Sequence, residues 1–201
     1  MKQSKNKLRA FCATGILGAL GAVLMMLEIS VPLMPGFLKL DFSELPALIA
    51  AFAFGPLSGV GVCLIKNLLH LPFSSTAAIG ELSNFLLGAV FTASAGWVYL
   101  GRKNRKGALL ACLIGSFSMA TIGVFINYFL VYPLYQKVLS LPIPAIISMY
   151  AAIFPKVSNL WQCLLLFNFP FTFIKGILDS LICFAVYKSL SPLLHGRQGE
   201  N

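Results

Sequence analysis

Residues 171–187, FTFIKGILDSLICFAVY, form an apolar run of helical length that is interrupted by a lysine and an aspartate. Lys175 and Asp179 fall on one face of the predicted helix, together with Asn168 and Thr172. A charge near the centre of a bilayer costs roughly 2.5–3.5 kcal/mol or more, so this polar face predicts a hydrophilic ligand or pathway between helices. A second interpretation stays open, in which Lys175 and Asp179 simply pair with each other four residues apart.

The composition is that of an integral membrane protein. The 201 residues are 58% apolar and only 10% charged, with a mean hydropathy of +0.86, whereas soluble domains carry about 25% charged residues. No polar linker, low-complexity segment or repeat divides the chain, which predicts a single membrane domain over residues 1–201. The basic N-terminus and the apolar run Ala10–Leu27 mimic a signal peptide, but no small-x-small cleavage site follows, so we expect a retained first helix.

The hydropathy pattern predicts an all-α protein with six transmembrane helices. Gly55-Pro56 splits one long apolar run, because proline lacks an N–H and disfavours helix in the residue before it; the two pieces form either a hairpin of short helices or one kinked span. The proline-marked connection 133–163 is apolar enough over Ile143–Phe154 to hold an interfacial or partly inserted helix. The expected helices are about 8–28, 45–54, 56–71, 79–100, 107–132 and 169–190.

The distribution of basic residues predicts the topology. Six spans with both termini in the cytoplasm place ten basic residues inside and three outside, in agreement with the positive-inside rule. The net charge of +9 is therefore a topology signal and gives no reason to expect nucleic-acid binding. The inner residues are Lys2, Lys5, Lys7, Arg9, Arg102, Lys103, Arg105, Lys106, Lys188 and Arg197; the outer ones are Lys39, Lys137 and Lys156.

Polar stripes recur on three of the predicted helices. Each stripe alone is typical of ordinary helix packing, but together they place amides, a hydroxyl and charges toward the outer half, which predicts a pocket open to the outside. Lys66, at the end of the third helix, either snorkels to the surface or serves this pocket. The polar members of the stripes are Glu81 and Asn84 on helix four, Asn127 on helix five, and Asn168, Thr172 and Lys175 on helix six.

The first outer loop predicts a structured lid. Residues 37–46, FLKLDFSELP, alternate apolar and polar side chains and then enter a helix, which Ser43 or Asp41 can cap. A structured loop over the mouth of an outward pocket would close it.

Helix one carries small residues at helical spacing, without polar groups that a ligand would need. Gly15, Gly18, Ala19 and Ala22 suit close approach by another membrane protein, although internal packing explains the same spacing.

Several classes of function lack their motifs. The sequence has no Walker A loop, no G-x-S-x-G and no H-E-x-x-H, and the five scattered cysteines support neither a disulfide framework nor a zinc site. We therefore expect no enzyme, no metal and no resident cofactor. A membrane protein with a pocket and no nucleotide site needs a partner to do work.

Four segments carry a resemblance to a known family. Residues 38–49 (LKLDFSELPALI), 54–59 (FGPLSG) and 65–70 (IKNLLH), with 170–176 (PFTFIKG), resemble the riboflavin-specific substrate-binding (S) components of energy-coupling factor (ECF) transporters. The resemblance covers the whole chain. It implies six helices, an outward riboflavin pocket under a loop-one lid, and docking through helix one to a membrane-embedded coupling subunit and two cytoplasmic ATPases in the cell membrane. The chain departs from the family pattern at Thr172, where an asparagine is expected.

The resemblance also assigns roles to the candidate site residues. Leu40 and Phe42 would sandwich the flavin ring, and Asn127, Asn168, Thr172 and Lys175 would bind its carbonyls and ribityl hydroxyls, since lysine offers three donors and asparagine both kinds of group. Asp41, Glu81 and Asn84 complete the predicted site. The alternatives are a related flavin such as FMN, another vitamin, a self-contained secondary carrier, or an intramembrane enzyme.

Overall fold

The computed structural model of the protein describes residues 2–32 and 34–195, with side chains over 7–32 and 34–186. Helices dominate, and a two-stranded antiparallel hairpin joins the first two of them. The elements are α1 Lys2–Met26, β1 Ile29–Ser30, β2 Lys39–Leu40, α2 Glu44–Phe54, α3 Pro56–His70, α4 Ile79–Gly101, α5 Arg105–Ile126, α6 Tyr132–Val138, α7 Ile143–Ala151, α8 Leu160–Cys163 and α9 Phe169–His195.

Among the described residues, five segments are long and apolar enough to cross a bilayer, and their outward faces are rich in exposed leucine, isoleucine and phenylalanine. The second predicted span is different. α2 has 11 residues, too few to cross a hydrocarbon core of about 30 Å as a lipid-facing helix. Every residue of it from Pro46 to Phe52 is buried within the protein. The spans are Lys7–Met26, Pro56–Phe73, Ile79–Gly101, Arg105–Val138 and Leu160–Val186.

The break at Gly55-Pro56 produces two packed helices and not one kinked span. Gly55 adopts φ +102°, a conformation that residues with a Cβ rarely take. Pro56 starts α3, where its fixed φ suits the helix and the N–H that it lacks would have had no partner within the helix. The chain therefore reverses within one residue, and α3 packs back along α2.

Two prolines change the helix ends from those predicted. Helix five does not end at Tyr132 but runs on through a π-helical turn, Asn127–Val131, into α6. Helix six begins at Leu160 and passes through a second π-helical turn, Leu164–Asn168, before α9. A proline in a helix clashes with the carbonyl four residues earlier, and each π turn spans that carbonyl ahead of Pro133 or Pro170. The predicted connection 133–163 shrinks accordingly to 139–159, which contains α7.

Loop one, residues 27–43, is structured as predicted. Ile29 pairs with Leu40 and Ser30 with Lys39, and the exposed Glu28 and Lys39 side chains form an ion pair. Ser43 stands at the start of α2 but makes no capping bond. Instead, Asp41 Oδ1 accepts a hydrogen bond of 2.8 Å from the Ser43 N–H, which fixes the turn that leads into α2.

Candidate functional site

A cavity of about 130 Å³ lies where loop one meets the ends of α4, α6 and α9. Its lining residues include Phe37 of loop one, Asn84 of α4, Asn127 and Asn168 of the two π-helical turns, and Thr172 and Lys175 of α9. Elements far apart in sequence thus bring four of the predicted polar groups of helices five and six to one wall. The polar stripes of these helices therefore converge at the loop-one end of the protein.

A second cavity of about 320 Å³ adjoins the first, since Phe37, Lys39, Asn84 and Tyr135 line both. Asp41 and Glu81 belong to its wall. Sites for ligands of drug size have volumes of about 300–1,000 Å³, so the adjoining cavities offer enough room for a heterocycle with a polar tail.

Lys175 holds loop one and α2 to α9. Its Nζ donates to Asp41 Oδ2 at 2.9 Å and lies 3.0 Å from Glu44 Oε2. The interpretation in which Lys175 simply pairs with Asp179 is therefore wrong: both carboxyl oxygens of Asp179 are buried without a hydrogen-bond partner among the described residues. Lys175 contacts Asp41 of loop one and Glu44 at the start of α2 because these two acids are better-placed acceptors than the one on its own helix.

Lys66 completes a buried ion cluster with Asp41, Glu44 and Lys175. Its Nζ lies 2.7 Å from Glu44 Oε1 and also donates to Ser43 Oγ. The Lys66 side chain is fully buried and lines neither cavity, so it neither snorkels to the surface nor serves the pocket directly. Two lysines and two acids thus bind the start of α2 to α3 and α9.

The cluster keeps Asp41 ionised. Burial alone would raise the pKa of Asp41, but the ammonium groups of Lys175 and Lys66 hold that pKa well below its usual value. A charged Asp41 is therefore a permanent partner for Lys175.

Glu81 and Asn84 lie at the cavities but are already engaged. Glu81 Oε1 is 3.0 Å from His70 Nδ1, and its Oε2 accepts from Ser74 Oγ at 2.7 Å. Asn84 Oδ1 accepts from Asn67 Nδ2 at 3.3 Å. Glu81 accordingly fastens the end of α3 to the start of α4, and Asn84 keeps its N–H groups for the cavity.

Asn127 and Asn168 both lie in the π-helical turns. The Tyr132 N–H bonds to the Asn127 carbonyl and the Phe169 N–H to the Leu164 carbonyl, each five residues back. Such turns are frequent at functional sites because they re-aim the side chains of a helix. The feature of the sequence that marks each π-helical turn is a proline a few residues after the asparagine, Pro133 after Asn127 and Pro170 after Asn168.

Loop one reaches the first cavity through residues other than those predicted, and of the three predicted loop-one residues only Asp41 lines the second. Leu40 and Phe42 line neither cavity, because Leu40 is held in the hairpin opposite Ile29. Phe37 and Leu38 lie on the wall instead, carried there by a turn in which the Leu38 N–H bonds to the Pro35 carbonyl at 2.8 Å. The other lining residues that the sequence pattern did not single out include Lys39, Glu44, Gly80, Ser83, Tyr132 and Tyr135.

The small residues of α1 divide between two faces. Gly18 and Ala22 are buried, and a Cβ on Gly18 would lie 2.5 Å from Ile65 Cγ2, so these two serve internal packing against α3. Ala19 is exposed, and a Cβ on Gly15 would meet nothing within 4 Å. Only Gly15 and Ala19 are therefore open to a partner.

Comparison with known proteins gives consistent results. The family model for the substrate-specific component of ECF transporters matches residues 10–187. The riboflavin transporter RibU of Staphylococcus aureus (strain TCH60) is 32% identical over 96% of this chain and 94% of its own. The riboflavin transporter FmnP of Bacillus subtilis (strain 168) is 28% identical over 97% of this chain and 98% of its own.

The fold is also that of a solved structure. The S component of a bacterial ECF transporter superposes with a TM-score of 0.74 at 30% identity, covering 94% of this chain and 98% of the other.

Proposed function

The chain belongs to the substrate-specific components of ECF transporters, and from that premise we propose that its two adjoining cavities capture riboflavin outside the cell. The observation that carries the proposal is the wall that combines aromatic rings with side-chain amides and two lysines, Lys39 and Lys175. The family consists of transport components and not of enzymes. Delivery into the cell then depends on docking to an energising module.

The chemistry of the wall matches the chemistry of riboflavin. The flat ring system needs apolar and aromatic contact, which Phe37, Leu38 and Tyr135 supply. The ring carbonyls and ribityl hydroxyls need donors and acceptors, which Asn127 and Thr172 offer without competing hydrogen bonds in the described part of the chain. A threonine hydroxyl bonds a sugar hydroxyl as an asparagine does, with one donor in place of two.

The charges at the cavities favour the neutral vitamin over its phosphate ester. Three basic side chains line the two cavities within the described residues, and each already has a carboxylate partner: Lys39 with Glu28, His70 with Glu81, and Lys175 with Asp41 and Glu44. A phosphate brings a charge of about −1.5 to −2. It would meet paired cations and the surrounding acids, so we exclude FMN as the preferred ligand.

We expect the purified protein to bind riboflavin one to one and to quench its fluorescence. FMN should bind at least about tenfold more weakly, because like charges brought together in an interface cost several kcal/mol. Isothermal titration calorimetry with each flavin in turn gives both stoichiometries and both affinities, and biotin serves as a ligand of another vitamin class that should give no heat.

Two results would contradict the proposal. A folded preparation that shows no quenching at micromolar riboflavin would remove the ligand assignment. FMN binding as tightly as riboflavin would mean that an unpaired cation meets the phosphate, and the charge argument would fail.

We further propose that both termini face the cytoplasm and that α2 serves as a short sixth span: it is buried among the other helices, so it does not have to match the hydrocarbon thickness as a lipid-facing helix does. The support is the clustering of basic residues at the ends of the helices opposite loop one, where Arg102 to Lys106 connect α4 to α5. Lys188 and Arg197, also counted on this side, lie where the structure does not describe side chains.

The topology can be measured with single cysteines in a chain whose five native cysteines are replaced. We expect a cysteine at Lys103 to be shielded from a membrane-impermeant thiol reagent in intact cells, and one at Lys156 to react. The reverse pattern would invert the orientation, and the positive-inside argument would then fail for this protein.

The partner surface is the open part of the α1 face. Gly15 and Ala19 allow close approach of another membrane helix, and we propose that the coupling subunit docks there, with two ATPases below it. The chain has no Walker A loop, so the energy for uptake has to come through this contact.

A further inference from the structure

Three side chains form a closed ring of hydrogen bonds beside the first cavity. The Tyr132 and Tyr150 hydroxyl oxygens are 2.6 Å apart, the Tyr150 hydroxyl donates to Asn168 Oδ1 at 2.6 Å, and Asn168 Nδ2 donates to the Tyr132 oxygen at 2.9 Å. The three residues are buried. They come from α6, α7 and the second π turn, so the ring joins three elements.

The ring fixes the direction of every bond in it. The Tyr150–Asn168 separation of 2.6 Å suits an O–H donor, and the Asn168–Tyr132 separation of 2.9 Å suits an N–H donor. Because the Tyr150 O–H donates to Asn168 and an Asn168 N–H donates to Tyr132, the Tyr132 O–H must donate to Tyr150. Burial raises the pKa of Tyr150 well above its ordinary value, so its hydroxyl remains a donor.

The two separations select one orientation of the Asn168 amide, because the ring would close equally well in the opposite sense with the amide turned, but the shorter contact then would have to be the N–H bond. An isolated asparagine can turn its side chain by 180° and exchange its oxygen for its NH₂ group. Here the oxygen is held by Tyr150, and one N–H of the NH₂ group is held by Tyr132. The second N–H is the donor that the ring leaves free, on a residue that lines the cavity.

Tyr150 itself lines neither cavity. It belongs to α7, in the connection 139–159, where its ring contacts Phe37 edge-on at a centroid distance of 6.1 Å. Phe37 also meets Tyr132 edge-on at 5.9 Å. The same tyrosine therefore supports the loop-one residue on the cavity wall and orients the amide opposite it.

We propose that Tyr150 is a positioning residue for ligand recognition: it holds the Asn168 amide so that Asn168 acts as a hydrogen-bond donor to an acceptor oxygen or nitrogen of the bound flavin. The inference rests on the proposed function, since it presupposes a flavin in the cavity. It assigns to the α7 connection a role in the specificity of the site.

Removing the Tyr150 hydroxyl frees the amide. In Tyr150→Phe, Asn168 Oδ1 loses its donor, and a buried acceptor without a partner is unfavourable. Turning the amide lets Oδ1 accept the Tyr132 proton instead, which carries the NH₂ group away from its selected place. We expect the dissociation constant for riboflavin to rise about tenfold, as the loss of one buried hydrogen bond gives.

A double-mutant cycle separates positioning from general structure. Riboflavin affinity is measured by fluorescence quenching for wild type, Tyr150→Phe, Asn168→Ala and the double variant, with thermal unfolding recorded for each. If Tyr150 acts through Asn168, Tyr150→Phe has no further effect on affinity once Asn168 is alanine. Tyr128→Phe is the matched control, because that ring stacks on Trp161 and its hydroxyl has no hydrogen-bond partner among the described residues; its affinity should equal that of wild type.

Each other outcome overturns the inference in a distinguishable way. Additive losses in the double variant, or a Tyr150→Phe protein with unchanged affinity, would make Tyr150 a packing residue while riboflavin binding by wild type stands. Asn168→Ala with unchanged affinity would remove Asn168 from the ligand contacts. Failure of wild type to bind riboflavin would instead overturn the proposed function and this inference with it.

Discussion

Riboflavin binding is expected to be lost at micromolar ligand when Lys175 is replaced by methionine. Lys175 lines the first cavity and uses two of its three N–H donors on Asp41 and Glu44, which leaves one for the ligand. A hydrogen bond to a charged group contributes about 1.5–3 kcal/mol, so its loss alone weakens binding roughly 10- to 100-fold. The ion pair that holds loop one to α9 is lost in the same variant, and the lid loses its anchor.

Lys175→Met is also expected to be less stable than wild type, because it removes one cation from the buried ion cluster. Removing one partner of a buried ion pair costs about 3–5 kcal/mol, and Lys175→Met takes from Asp41 its direct contact to an ammonium group. A loss of binding in that variant would therefore be ambiguous. Removing a neighbouring buried acid outside the cluster together with the lysine reduces the negative charge that the lost ammonium group leaves behind, and comparing affinity with stability in that variant resolves the ambiguity.

Asp179 is the suitable acid, because its carboxyl oxygens make no hydrogen bond in the described part of the protein and it lines neither cavity. Asp179→Asn alone should bind riboflavin as wild type does. The double variant Lys175→Met/Asp179→Asn should unfold closer to wild type than Lys175→Met does, yet still fail to bind. Calorimetric titration and thermal unfolding in detergent measure the two properties. Normal affinity in the double variant would show that Lys175 is only structural.

The sequence alone could predict the helices and the polar faces because both depend on local periodicity. The spacing of Asn168, Thr172 and Lys175 on one helix face required no knowledge of other elements, and these three do line the cavity together. The partner of Lys175 was not predictable in this way. Asp41 lies 134 positions earlier, while Asp179 is four residues away, so sequence proximity favoured the wrong acid.

The positions of Leu40 and Phe42 show a second limit. Leu40 and Phe42 were expected to contact the flavin ring, but the strand is only two residues long, and the turn before it decides that Phe37 and Leu38 reach the wall. The ring around Asn168 is a third case: Tyr132 and Tyr150 meet only because α7 folds back over the π turns. Hydrogen bonds between elements far apart in sequence leave no periodic pattern to detect.

Gly15→Trp or Ala19→Trp is expected to abolish riboflavin uptake while riboflavin affinity remains that of wild type. Neither position packs inside the protein: Ala19 is exposed, and a Cβ on Gly15 meets nothing within 4 Å. A tryptophan there faces the membrane without strain, so the fold and the cavity at the other end of the helices are unaffected. Close approach of another helix, however, requires small side chains at the contact.

Two further α1 variants serve as controls for this separation of binding from uptake. Leu20→Trp changes a residue that is 48% exposed on a different face of the helix, and it should leave both properties unchanged. Gly18→Trp should destabilise the protein itself, since even a Cβ there clashes with Ile65. Uptake of labelled riboflavin is measured in cells that contain the coupling subunit and ATPases, and affinity on the purified variants.

The pair of measurements identifies what the open face of α1 does, because binding and uptake are recorded on the same variants. If a variant binds riboflavin normally but takes up no more than cells that lack the ATPases, the energising contact lies at Gly15 and Ala19. Normal uptake with tryptophan at either position would move the contact to another surface. Accumulation of riboflavin in vesicles that contain only this chain would show that no energising partner is needed, and the protein would then be a self-contained carrier.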